Sequence, residues 1–203
     1  HGWLKWKTGK PEYDMRSIFW WTSGHYPGSL WYLYEATGDA FFKERATDWT
    51  EILASNSSVD DNHDVGFIMY CSFGNARRIL KTDRYDDLLV ETAASLCRRY
   101  NEKLGLIRSW GALDEKDSFL VIPDNLMNLE LLEWAESQRR LDAAKAKKFG
   151  DVDFGKVAMS HADVTMEHHF RPDGGCRHVL DYDQETGRVK GILRGQGASC
   201  ETA

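Results

Sequence analysis

Apolar side chains recur at helical spacing through the front of this chain, and the pattern comes round more than once. Leu30, Trp31, Leu33 and Tyr34 make one run, and Phe41, Phe42, Ala46, Trp49, Ile52 and Leu53 make the next. Between them, Ala36-Thr37-Gly38-Asp39 sets a glycine where one helix stops and an aspartate able to cap another, which predicts a short antiparallel helical hairpin. The same grammar returns at Leu80-Lys81-Thr82-Asp83, ahead of a more charged helical run over 84–100. Pairs repeating at this period stack side by side, so an inner helix should be apolar nearly all round and an outer one should keep a charged face. A third inner-type helix is predicted over 123–139, with Pro123 near its first turn, where proline costs least. Helix is expected to dominate the first 150 residues.

Past Gly150 another helix is predicted over 154–169, and then the grammar changes. Pro172-Asp173-Gly174-Gly175 marks a turn, 176–182 alternates like a strand, and a loop over 183–187 leads into 188–193, which predicts a small β-hairpin set among helices. The Lys-, Arg- and Ala-rich stretch 138–150 reads as a solvated helix end or a surface insertion.

A chain of 203 residues with 42% hydrophobic and 29% charged content suits one domain around one sizeable core. No run approaches the roughly 18 apolar residues that span a bilayer. The start, His1-Gly2-Trp3-Leu4-Lys5-Trp6, lacks the basic and apolar sequence of a signal peptide, as a cut chain would too. A net charge of -6 with scattered basic residues argues against a nucleic-acid partner. An anionic small substrate stays open, because local donors hold a carboxylate whatever the charges beyond about 10 Å. Cys71, Cys97, Cys176 and Cys200 show no CxxC spacing; Cys71 and Cys97 fall inside helical patterns as core thiols, and the compartment stays open.

Two segments carry chemistry: Asn62-His63-Asp64-Val65-Gly66-Phe67 and Pro123-Asp124-Asn125-Leu126-Met127-Asn128-Leu129. Each puts an acidic residue at the head of an apolar helical run, where a carboxylate can face a cavity while the helix behind it is buried. Asp64 and Asp124 are therefore candidates for one acid/base site. Each could instead be a helix N-cap worth about 1 kcal/mol, although Asp60, Asp61 and Asn62 offer other caps ahead of Asp64. Trp20-Trp21-Thr22-Ser23-Gly24-His25-Tyr26 and Ser109-Trp110 add flat aromatic faces on which sugar rings stack, with core packing as the rival reading for any single tryptophan. Trp31, Trp49 and Trp134 sit mid-helix and are assigned to the core. His63 could orient Asp64 or cap a helix. His161, His168 and His169 look metallic but lack a His-Glu-x-x-His or cysteine partner, so no metal site is assigned. The absence of a Gly-x-Ser-x-Gly elbow and of a Gly-rich loop before a Lys-Ser/Thr sets aside a serine hydrolase reading and a phosphate-binding reading. Paired carboxylates beside such aromatic faces read as a carbohydrate enzyme.

The succession Trp21-Thr22-Ser23-Gly24-His25-Tyr26-Pro27-Gly28, His63-Asp64-Val65-Gly66-Phe67, Ser109-Trp110, Asp124-Asn125-Leu126-Met127-Asn128-Leu129, Arg171-Pro172-Asp173-Gly174 with His178, and Gly195-Gln196-Gly197 resembles the unsaturated glucuronyl hydrolases of glycoside hydrolase family 88. Order and approximate spacing agree along nearly the whole chain. The resemblance implies an all-α fold, the (α/α)6 barrel or toroid of helical hairpins. It implies as substrate an oligosaccharide of glycosaminoglycan or related type, left by a polysaccharide lyase with an unsaturated uronic acid at its non-reducing end. The implied reaction is hydration of the C4=C5 vinyl ether: an acid protonates C4, the ring oxygen shares the charge at C5, water adds there, and the hemiketal opens. It calls for no metal, nucleotide or other cofactor. Carried over residue by residue, it makes Asp124 the general acid/base and Asp64 its partner. Trp21 and Trp110 become stacking walls, and His63, Asn125, His178 and Gln196 polar contacts to substrate. Burial of Asp124 beside Val121, Ile122, Leu126 and Met127, with Asp64 nearby, would raise its pKa toward the working pH.

Two alternatives stand beside this reading: an unsaturated rhamnogalacturonyl hydrolase on the same barrel, and a non-catalytic sugar-binding or scaffold toroid. One departure bears on the extent of the domain. In the family the Gln-Gly motif is followed by a Trp, an Arg-Gly-Gln segment and further helices. Here Gln196 is followed by Gly197-Ala198-Ser199-Cys200-Glu201-Thr202-Ala203, with Thr202 about where the Trp would stand. A single toroid domain cut short on its C-terminal side is expected, which would leave inner-helix surface uncovered and favour association. Neither a nucleic-acid nor a membrane partner is expected.

Overall fold

The computed structural model describes residues 2–7, 10–148, 150 and 152–193. Its helices come in pairs. Helix α1 (His25–Thr37) stops at Gly38, whose left-handed φ of 69° lets its N–H reach the Tyr34 carbonyl, and α2 (Ala40–Glu51) starts at once. The Asp39 carboxylate caps it by accepting from the Phe41 N–H at 2.9 Å, as the sequence predicts. In the second pair the inner member is built from α3 (Val65–Met69), a π-helical turn (Tyr70–Gly74) and α4 (Asn75–Leu80), and the outer member is α5 (Asp86–Cys97). Its turn departs from the first. Lys81, not a glycine, takes the left-handed position at φ 50°, and the Thr82 hydroxyl rather than the Asp83 carboxylate accepts the Arg84 N–H.

The third pair opens with a 3-10 turn (Pro123–Asn128) that runs into α6 (Leu129–Leu141) and packs against α8 (Phe154–His169). The Lys- and Ala-rich stretch between them is a short helix, α7 (Ala143–Lys148). Two glycines let α1 lie close on its neighbour. A Cβ at Gly24 would sit 2.1 Å from the Ile68 carbonyl oxygen, and one at Gly28 2.7 Å from that of Cys71. Trp31, Phe73, Leu89, Leu96, Leu131 and Phe154 fill the interior between the pairs. The Trp31 indole N–H donates to Thr50 Oγ1 at 2.9 Å, tying α1 to α2. Trp49 and Trp134 only pack partly against this core, and the Arg77 guanidinium lies 5.0 Å over the Trp134 ring.

The front of the chain is not helical throughout. Strands β1 (Gly2–Lys7) and β2 (Lys10–Met15) pair antiparallel, Gly2 opposite Met15 and Lys7 opposite Lys10. Neither run carries a helical apolar stripe, and two strands of equal length can satisfy each other's backbone groups. A second short pair joins β3 (Tyr100–Asn101) to β4 (Leu106–Ile107). The predicted C-terminal hairpin is present as β6 (Val179–Tyr182) and β7 (Val189–Leu193), and it takes on a third antiparallel strand, β5 (Leu120–Val121). Val121 pairs with Leu180, a register that, continued past Val121, runs on toward Pro123 and His178. The sheet thus carries one candidate segment to another. Stacked helical pairs with this small sheet make the expected α/α toroid architecture, with three pairs among the described residues. No helix of the described residues is long and apolar enough to cross a membrane.

Candidate active site

The two acidic segments converge at the starts of inner helices. His63 Nε2 lies 3.1 Å from Asp64 Oδ1 and 4.0 Å from Asp124 Oδ2. Neither carboxylate is spent on capping. Asp64 stands at the cap position of α3 without a side-chain bond to the helix, and the cap position before the 3-10 turn is Ile122.

A buried polar network fixes this meeting. The Ser109 carbonyl accepts the His63 N–H at 3.0 Å, and the Ser109 N–H donates to the Leu120 carbonyl at 2.8 Å. Its hydroxyl accepts the Ile122 N–H at 3.0 Å, so one residue binds both acidic segments. From the other side the Asn128 amide donates to the His63 carbonyl at 3.0 Å and to Asn125 Oδ1 at 2.8 Å. Asn125 in turn donates to the Ile107 carbonyl at 3.2 Å. Gly66 makes room for this, since a Cβ there would lie 2.1 Å from Asn128 Oδ1. Such a network, satisfied at several points away from water, holds backbone geometry more firmly than surface loops can.

Burial raises the Asp124 pKa above the usual carboxylate range; Asp64 adds to the rise, while His63 and His178 oppose it. Asp124 Oδ1 is closed off from solvent although the side chain as a whole is 43% exposed, so desolvation and access coexist on one group. Around the pair runs a path of rings. Trp21 meets His25 edge-on at 5.8 Å, His25 meets Phe67 at 6.4 Å, and His63 lies edge-on to Phe67 at 5.8 Å and to Trp110 at 5.9 Å. The two ends of that path, Trp21 and Trp110, are open to solvent. Exposed indole faces flanking two neighbouring carboxyls can hold a sugar ring and pass a proton to it.

Of the residues singled out from sequence, Trp21, His63, Asp64, Trp110, Asp124 and His178 gather here. His63 has no exposed surface, which fits the orienting role rather than direct contact. Asn125 is also fully buried, with both ends of its amide turned inward, so its place is in the bracing and not on the open face. Gln196 lies outside the described residues. His25, Ser109 and Asn128 are further site residues that the sequence reading quoted inside motifs without assigning a role; only their buried partners reveal one. Each of His161, His168 and His169 has a protein partner. His161 Nδ1 accepts the Ile107 N–H at 3.0 Å, and His169 Nδ1 donates to the Arg177 carbonyl at 2.8 Å. His168 Nδ1 lies 3.2 Å from the Tyr182 hydroxyl. Burial lowers His161 to about 3 and His169 to about 4, so both are neutral pins that hold α8 to β4 and to the loop ahead of β6. Among the described residues no group of three His, Cys, Asp or Glu side chains is placed to hold a metal ion. Cys71 and Cys97 are free thiols, and burial pushes Cys97 up to about 12.

No family model matches the chain. Curated proteins do. An unsaturated glucuronyl hydrolase of Formosa agariphila is 41% identical over 174 residues, covering 84% of this chain and 40% of the relative. An unsaturated chondroitin disaccharide hydrolase of Streptococcus pyogenes serotype M1 is 32% identical over 200 residues, covering 97% of this chain and 47% of the relative. Among solved structures, an unsaturated glucuronyl hydrolase specific for heparin superposes with a TM-score of 0.79 at 39% identity, covering 93% of this chain and 47% of that one. The chain therefore spans less than half the length of these relatives.

Proposed function

We propose that this chain, similar over most of its length to unsaturated glucuronyl hydrolases, belongs with them and carries the acid/base site of an enzyme hydrating the C4=C5 vinyl ether of an unsaturated uronide. Asp124, whose pKa burial raises, gives its proton to C4. Positive charge then develops at C5 and is shared by the ring oxygen. The Asp124 carboxylate so formed takes a proton from the water that adds at C5, and the hemiketal opens to free the next sugar. Water is consumed, and the acid returns to its starting state. Asp64 accepts from sugar hydroxyls and, by its charge, helps hold the proton on Asp124. Trp21 and Trp110 stack on the sugar, and His178 with Gln196 supplies polar contacts.

The observation that carries this reading is the single buried imidazole within 4.0 Å of both carboxylates, between open aromatic faces. The glucuronyl and chondroitin names of the relatives favour uronyl fragments of glycosaminoglycan type over pectin fragments. The test uses the ultraviolet band of the conjugated C4=C5 bond in an unsaturated disaccharide. The protein that carries this chain should erase that band, and Asp124→Asn should slow the loss by roughly 100- to 10,000-fold with the fold intact by circular dichroism. A band left unchanged by the unmutated protein would favour a sugar-binding toroid without catalysis. Full turnover by the variant would take the acid role from Asp124.

A further inference from the structure

Behind the site, one arginine ties the loop that leads to Asp64 to the loop that carries Ser109 and Trp110. Arg99 follows α5 and is 2% exposed. Its Nε donates to the Arg108 carbonyl at 2.8 Å, Nη1 to the Asp60 carbonyl at 2.5 Å and Nη2 to the Gly111 carbonyl at 3.1 Å. Asp60 leads into His63 and Asp64, while Arg108 and Gly111 bracket Ser109 and Trp110. All three of these bonds go to backbone oxygens, so the guanidinium acts as a clamp across two loops rather than as half of an ion pair. The surrounding carboxylates of Asp60, Asp61 and Asp64 offset its charge, and Arg108 is the like charge beside it.

We infer that Arg99 is a positioning residue: it fixes from behind the spacing between the Asp64 segment and the Trp110 wall, and it sets a permanent positive charge on the Asp64 side of the pair. This deepens the acid/base reading above and rests on it. Burial and Arg108 bring the Arg99 pKa down only to about 10, so the charge persists at neutral pH. This cation and the Asp64 carboxylate favour each other's charged form.

Two variants separate clamp from charge. Arg99→Lys keeps the cation but cannot reach three carbonyls at once, and Arg99→Met loses both. The carboxyl carbons of Asp64 and Asp124 are titrated by NMR in each protein, with hydrogen exchange of the His63 and Ser109 amides followed on the same samples. Arg99→Met should raise the Asp64 midpoint by about half a pH unit, and Arg99→Lys should leave it in place. Both should speed exchange at His63 and Ser109 about 10-fold or more while amides in α8 stay protected. An unmoved Asp64 midpoint in folded Arg99→Met overturns the charge role, and unchanged exchange in Arg99→Lys overturns the clamp. Neither readout depends on turnover, so a failure of the hydrolase reading itself appears separately as an unmutated protein that leaves the unsaturated disaccharide intact.

Discussion

At the scale of single residues, the contrast between Asp124 and Glu136 shows how a site carboxyl differs from a structural one. Glu136 is buried, yet its bonds to Arg139 at 2.7 Å and Arg140 at 2.9 Å hold its pKa down to about 2. Asp124 moves the other way, because burial and a neighbouring carboxylate outweigh the two histidines. A carboxyl whose folded pKa is raised makes the fold less stable once it ionises. Below the unfolded pKa both states are protonated and nothing is lost. As pH rises from there to the folded pKa, the unfolded chain gives up its proton first, stability falls, and the deficit persists above that pH. The neutral isostere Asp124→Asn is therefore expected to melt above the unmutated protein at neutral pH and level with it below about pH 3. Calorimetry across that range decides the point; a variant that melts lower at neutral pH would show the carboxylate to be favourably bound.

At the scale of elements, the site exists because inner helices begin where loops from different pairs meet. The glycines of α1 govern how closely that helix approaches the next. At Gly24 the obstacle to a side chain is the Ile68 carbonyl, which belongs to a helical backbone and cannot swing aside. Gly24→Ala should cost about 1–3 kcal/mol in urea unfolding, the usual range for overpacking a tight contact. It should also disturb the Trp21, His25 and Phe67 contacts, which lie at the same end of the helix. A cost of a few tenths would mean that α1 shifts freely on its neighbour. Gly66 answers the same need for Asn128, so close approach of helices and completion of the polar network depend on one kind of residue.

At the scale of the whole molecule, Tyr32 and Leu33 on α1, Phe41 and Ile52 at the outer helix, and Met127 beside Asp124 stand open to solvent. We expect the 203-residue chain produced alone to self-associate, read by sedimentation velocity; a monodisperse monomer at all concentrations would refute this. The helical pairs were legible before any coordinates. Gly38 and Asp39 act as the turn they spell, and the apolar run over 154–169 matches α8, because helix periodicity and capping are local properties. The Lys81 turn was misread in part, since a left-handed lysine leaves no signature in composition. The hairpin formed by β1 and β2 and the pairing of β5 with β6 were missed for a related reason: short strands draw their stability from partners, not from their own period. The motifs named Asp64 and Asp124, but nothing local could say that they share one imidazole or that their side chains are free of capping duty. What the sequence determined alone is the helical pairing and the residue types available for acid/base chemistry, both written within a few turns of chain. Only tertiary structure decided how the carboxyls differ, because burial, the Ser109 and Asn128 ties and the Arg99 clamp all come from segments far apart in sequence, and electrostatics depends on distance in space.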